Sequence, residues 1–436
     1  MEKFTAGLIL LSGVGSVFAI KNGKGITPPM GWRSWNLFGA NVNQDLIQSQ
    51  MVGITNKDRL VNGVPTSLLD LGYSDVGLDD AWQLCGDYTN RHFTYHDETG
   101  APVIDTSLFP DFKAMTDYAH SIGLTAGWYG NNCICEDHCS TDDCYQQDVN
   151  ALVGLGFDSV KLDGCGKQLD LQKWSDLIDA TDSSILIENC HWGLTVPNAT
   201  WCPWNYYRSS GDIRASYEYV LSNLMSTVPL AKQELSTPGC WAYPDMLEVG
   251  CQHGPGGDDD PGLSYAEART HFGAWCIVSS PLILSHDMNN QTVTDDIWDI
   301  ITNTEAIAVN QAWAGDSGTI FAESSRQVSM VVETVTELGG QGNYQETTFS
   351  VSDWQQWAKR LPDGKSAVLL MNNADETQEV TLRFDQIPAF VDATIGDFEV
   401  RDLWARADLG TFSDSMSVSL ESHDSAFLVV TVSPKL

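Results

Sequence analysis

The chain has 436 residues, 42% of them hydrophobic, and a formal net charge of −35 at pH 7. That is enough for a barrel of ~250 residues with a smaller partner domain, and too apolar for a chain disordered throughout. So acidic a protein repels nucleic-acid phosphates and anionic membrane surfaces, which leaves neutral substrates open.

The N-terminus carries Lys3, an apolar stretch over 8–11 and the small-residue site Val17-Phe18-Ala19. This pattern predicts a signal peptide over 1–19. Its apolar part is too short to span a bilayer, and no later stretch is long and apolar enough to do so. A soluble protein that is secreted, or lysosomal or vacuolar, is expected. Exported chains meet oxidising conditions in which disulfides persist, and the eleven cysteines fit that setting. An odd count leaves one thiol over, and Cys276 in the apolar stretch 274–278 is the candidate. The cluster Cys133, Cys135, Cys139 and Cys144 around His138 has metal-binding residue types. Its irregular spacing favours bridges over zinc, and neither a metal nor another cofactor is expected. Sequons at Asn198 and Asn290 are compatible with glycosylation.

Short apolar runs at 29–32, 74–78, 125–129, 159–162, 184–187, 206–209, 241–243 and 281–284 read as strands. Amphipathic stretches at 110–122, 145–155, 172–180, 217–225 and 265–276 read as helices between them. Strands alternating with helices in this way predict a parallel (β/α)8 TIM barrel over 20–315. Past 316 the rhythm changes to short alternating runs at 328–335, 367–371, 379–384, 398–403, 416–420 and 426–432. Turn pairs such as Gly339-Gly340 and Asp363-Gly364 separate them. Closely spaced strands without helices predict an antiparallel β-sandwich over 316–436, a packing module rather than a second catalytic unit.

Acids gather where predicted strands run out: Asp79-Asp80, Lys161 to Cys165, Glu188 to Trp192, and Arg208 to Asp212. In a barrel these ends converge on the C-terminal face, where active sites are built. A lone acid at such an end can simply cap the next helix. Several of them, with Trp32, Trp82, Trp128 and Trp192 nearby, point instead to a sugar site. There, carboxylates accept from hydroxyls and aromatic faces stack on C–H surfaces. The run Asp258-Asp259-Asp260 near His253 lies between Gly and Pro residues and reads as a solvated loop.

Six blocks occur in order: Pro28 to Asn36, Leu78-Asp79-Asp80, Lys161 to Cys165, Arg208 to Ile213, Pro244 to Gly250, and Tyr265 through Pro281. In this combination the chain resembles glycoside hydrolase family 27, the α-galactosidase and α-N-acetylgalactosaminidase family, from residue 28 to its end. The resemblance implies a retaining exo-glycosidase that takes terminal α-D-galactosyl-type residues from a carbohydrate substrate. Asp163 would be the nucleophile and Asp212 the acid/base, their carboxyls ~5–5.5 Å apart. Lys161 and Arg208 would tune them, while Trp32, Asp79, Asp80, Tyr129, Trp192, Asp245 and Met246 would line the pocket.

Three departures from the family concern the glycone. Cys190-His191-Trp192 stands where Cys-Glu-Trp is usual, Ala242-Tyr243 replaces Asn-Asp, and Leu162 replaces an aromatic residue. His191 is therefore expected to face the sugar 2-position. A β-L-arabinopyranoside, an α-N-acetylgalactosaminide or an isomalto-type substrate remains an alternative, as does a non-catalytic lectin. A Cys190–Cys202 bridge is expected to close the loop before Arg208, and Cys165 to pair with Cys133 or Cys135. The pairing of Cys85, Cys135, Cys139, Cys144, Cys240 and Cys251 is left open, and a homodimer is compatible with the sequence.

Overall fold

A computed structural model describes residues 19–90, 92–252, 262–340, 342–391 and 396–433. The expected signal peptide up to 18 and the acidic run near His253 lie outside the described residues. Eight parallel strands form the first sheet: β1 (Met30–Arg33), β2 (Asp75–Gly77), β3 (Thr125–Gly130), β4 (Ser159–Asp163), β5 (Leu186–Cys190), β6 (Tyr206–Arg208), β7 (Trp241–Tyr243) and β8 (Leu282–Leu284). They pair in the order β8-β1-β2-β3-β4-β5-β6-β7, so sequence neighbours are sheet neighbours. Among the described residues the ladder is open between β7 and β8. Each strand falls on a predicted run. The fifth runs further than its apolar stretch, as far as Cys190, because Glu188 is neutralised inside the barrel by Arg33 at 3.2 Å.

Helices cover the outside: α1 (Gln44–Thr55), α2 (Phe112–Ser121), α3 (Asp142–Gly154), α4 (Leu171–Asp179), α5 (Tyr217–Lys232), α6 (Tyr265–Ile277), α7 (Gln291–Ile301) and α8 (Thr304–Gln311). Their starts are written locally. The side chains of Asn43, Asp111, Asp170, Asn290 and Asn303 each accept a first-turn N–H, and Ser264 with Glu267 forms a capping box. None of the helices described is long and apolar enough to cross a membrane.

Alternation along β3 turns Tyr129 inward and Trp128 outward. Trp128 stacks on Phe157 and meets Trp82, which in turn packs on Tyr95 and Phe112. Trp82 and Trp128 are therefore cement between sheet and helices, not the sugar-facing aromatics that their position in the sequence suggests.

Among the described residues the second domain has ten strands: β9 (Thr319–Glu323), β10 (Gln327–Val335), β11 (Tyr344–Ser352), β12 (Trp354–Leu361), β13 (Lys365–Asn372), β14 (Gln378–Arg383), β15 (Asp397–Asp402), β16 (Ala407–Phe412), β17 (Ser415–Leu420) and β18 (Ser425–Ser433). A sheet of order β9-β12-β13-β18-β15-β16 is faced by the pair β14–β17. Period-2 alternation in β13 sends Ala367, Leu369 and Met371 into the core shared with the barrel. Val368 and Leu370 go to the opposite face, where they meet Val380, Leu382 and Met416 inside the sandwich. The remaining pair, β10–β11, is an antiparallel hairpin.

Candidate active site

Lys161 and Asp163 lie two residues apart on β4, so both point into the barrel mouth. Tyr129 Oη donates to Asp163 Oδ2 at 2.9 Å, and the Gly164 N–H donates to Oδ1 at 2.6 Å. Lys161 Nζ donates to Asp79 Oδ2 at 2.8 Å and lies 5.5 Å from the centre of the Tyr129 ring. Burial pushes the Asp163 carboxyl up to about 7. The Lys161 charge opposes that shift, while Asp212 and Asp79 add to it.

Consecutive acids on a strand face opposite ways, a constraint that Asp79 and Asp80 escape. The chain manages this by leaving strand geometry after Gly77 and turning through Ala81 at φ +78°. The two then serve different partners. Asp79 holds Lys161. Asp80 accepts from Asn132 Nδ2, Ala81 N, Cys133 N and Ile134 N at 2.6–3.1 Å, anchoring the loop after β3. Its carboxyl is raised to about 6, chiefly by burial.

On the opposite side, Arg208 at the end of β6 donates to Asp212 Oδ1 at 3.0 Å and pairs with Asp245 Oδ2 at 2.9 Å. Asp245 also accepts from Ile213 N at 2.9 Å, which ties the Asp212 loop to the end of β7. The side chain of Asp212 is 39% exposed, whereas Asp163 is only 6% exposed. Asp212 therefore faces the mouth and Asp163 lies in the enclosed part. Trp32 is buried with its Nε1 donating to the His286 carbonyl at 2.8 Å, and Met246 packs with Tyr206, Trp241 and Tyr243.

Four disulfides are formed: Cys85–Cys135, Cys133–Cys165, Cys139–Cys144 and Cys202–Cys240. Cys133 is thus the partner of Cys165. The expected Cys190–Cys202 bridge is not made. Cys202 reaches across to Cys240 before β7, and Cys190 is a buried free thiol, as are Cys251 and Cys276. The reason is position along the strands: Cys190 ends β5 on the C-terminal face, while Cys202 and Cys240 both precede the starts of their strands, β6 and β7, at the other end. Cys190 pairs in register with Asp163, and its Sγ accepts from Arg208 Nη1 at 3.5 Å.

His191, one residue later, takes another course. Its Nδ1 meets Thr195 Oγ1 at 2.9 Å within its own loop, and burial alone lowers it to about 4, so it is neutral. The thiol of Cys190, by contrast, is raised by burial and then by the charge of Asp163. Cys190 is therefore the strand-end side chain beside Asp163. Trp192 (φ +49°) is buried against Gly164 under the β10–β11 hairpin.

The sequence names Cys190 only as a bridging cysteine, and it does not single out Asn132, Ser34 or Tyr344. Asn132 holds Asp80, Ser34 accepts the Asp79 N–H at 3.0 Å, and Tyr344 comes from the second domain. Only Cys190 carried a readable signal, its two-residue spacing from Glu188.

An enclosed carboxyl at the end of β4 and a mouth-facing one after β6, on the same face of a parallel barrel, define the class: a glycoside hydrolase acting on O-glycosidic bonds. Comparison with known proteins narrows this. The family model described as alpha galactosidase A matches residues 27–312, and that of the alpha galactosidase C-terminal beta sandwich domain matches 351–430. The chain belongs to this family. An alpha-galactosidase of Cyamopsis tetragonoloba is 30% identical over 95% of this chain and 88% of its own length. Alpha-galactosidase I of Mortierella vinacea superposes with a TM-score of 0.71 at 24% identity, over 95% of this chain and 99% of that one. The alpha-galactosidase of Saccharomyces cerevisiae gives 0.73 at 20% identity, over 96% and 100%.

Proposed function

We propose that the protein is a retaining exo-glycosidase that removes terminal α-D-galactosyl residues from oligosaccharides or glycoconjugates. The observation that carries this reading is the contrast between Asp163, enclosed and bonded to Tyr129, and Asp212, open to the mouth beside Arg208. In the first step an Asp163 oxygen attacks the anomeric carbon. The bond to the leaving oxygen breaks, its electron pair stays with that oxygen, and Asp212 supplies the proton. In the second step water attacks the same carbon and gives its proton to Asp212, and Asp163 departs as carboxylate, so configuration is retained. Lys161 favours the ionised form of Asp163 that attacks. Lys161 and Asp79 together present a donor and an acceptor to the sugar hydroxyls, and Trp32 floors the pocket.

Asp163→Ala is expected to abolish turnover of p-nitrophenyl α-galactoside. Added azide should restore product as the inverted galactosyl azide, because the truncated side chain leaves room for an anion on the face opposite the leaving group. Near-normal activity of Asp163→Ala without azide would overturn the assignment.

A further inference from the structure

Residues 313–350 fall between the stretches matched by the two family models, and they carry β10 and most of β11. This hairpin leans on the catalytic face of the barrel. Its Val335 and Leu338 pack on Cys165, Cys190 and Trp192. The Gly339 N–H donates to the Gly164 carbonyl at 2.7 Å. The backbone N of Val335 lies 3.6 Å from where a Cβ on Gly211 would stand. Gly164 follows the nucleophile and Gly211 precedes the acid/base, so the hairpin touches the chain beside both acids. It is fastened there by Glu333, whose Oε2 accepts from Arg214 Nη2 at 2.5 Å and whose N–H donates to Tyr219 Oη at 3.0 Å.

Tyr344 stands directly opposite Val335 in the ladder. Opposed residues of an antiparallel pair share a face, so Tyr344 is on the side that Val335 turns to the barrel. Val335 is buried, but Tyr344 is 51% exposed, which leaves an aromatic face open at the rim. Its hydroxyl is raised first by burial and then by the charges of Asp212 and Asp163, in keeping with a place beside the mouth. An acid that protonates the leaving oxygen must sit next to it. The departing group therefore lies on the open side of Asp212, where the hairpin runs.

We infer that the β10–β11 hairpin of the second domain builds the leaving-group subsite, with Tyr344 as the platform on which the departing sugar stacks. This rests on the glycosidase reading above and adds to it where aglycone preference is set.

The test compares two substrates with one glycone. A glycosyl fluoride has a leaving group too small to reach the hairpin, whereas a disaccharide places a full ring there. Tyr344→Ala is expected to lower kcat/KM for the disaccharide about tenfold and to leave the fluoride unchanged, the size expected for one lost apolar contact. Tyr344→Phe keeps the ring and should stay close to wild type on both. Equal loss on the two substrates, no loss on either, or a Phe variant as impaired as the Ala variant would each overturn the inference. Wild type that ignores galactosides but cleaves another glycone would instead sink the proposed sugar. The same fluoride-to-disaccharide ratio is then read on the glycone it accepts.

Discussion

At the residue scale, we propose Cys190 rather than His191 as the side chain that reads the glycone. By composition His191 is the conspicuous departure, a titratable ring where the family presents glutamate. By strand period it is Cys190 that shares the inward face with Glu188 and meets Asp163 in register. Cys190→Ala is accordingly expected to change the ratio of kcat/KM values across p-nitrophenyl α-galactoside, its N-acetyl analogue and the β-L-arabinopyranoside by about tenfold. His191→Ala should leave those ratios where they are and lower only stability, since it removes a buried bond to Thr195. Ratios that move with His191 and not with Cys190 would reverse the assignment. The acids at the strand ends were legible because strand ends in a barrel face one way. Tyr344 was not, since nothing near it in the chain refers to Asp212.

At the element scale, the loop after β3 carries the Asp80 anchor and Cys133, and it is held from outside by a buried charge cluster. His96 Nδ1 meets Asp137 Oδ2 at 2.5 Å and its Nε2 meets Asp148 Oδ2 at 3.0 Å, while Gln168 Nε2 also donates to Asp148 at 2.6 Å. Burial works against the imidazolium, but Asp148 and Asp137 outweigh it and raise His96 from 6.5 to about 10. A folded value above the ordinary one means the stabilisation is complete below pH 6.5 and is lost as pH rises through about 10. Wild-type Tm should therefore fall across that window. His96→Leu leaves two buried carboxylates without their cation, which costs ~3–5 kcal/mol, and its Tm should lack that alkaline fall. Melting curves over this pH range decide it, and parallel pH dependence in the two proteins would show that His96 is not the group responsible.

At the scale of the whole molecule, the two domains share one core. Helix α6 packs on β13 and β18, and Arg269 on that helix pairs with Asp424 at 2.5 Å. Gly273 lies at the closest approach. A Cβ there would stand 3.0 Å from both Leu369 Cδ1 and Trp404 Cζ2. Gly273→Leu should wedge the sandwich from the barrel and cost ~1–3 kcal/mol, read as a lowered midpoint in urea with m unchanged. A variant as stable as wild type would mean that the interface has slack. The β10–β11 hairpin of the second domain also touches the chain beside Asp163 and Asp212, at Gly164 and Gly211.

What the sequence by itself determined is what is written locally. The barrel strands follow from short apolar runs, the helix starts from Asn, Asp and Ser caps, and the change from helices to closely spaced strands after Gln311 from a switch in period. The six motif blocks likewise carried the family and the acids at the strand ends. Only the tertiary structure decided that Cys202 pairs with Cys240, that Trp82 and Trp128 face the helices, and that the β10–β11 hairpin leans on the chain at Gly164 and Gly211. Each of these depends on the distance between segments far apart in the chain, and that distance exists only once the barrel and the sandwich have packed together.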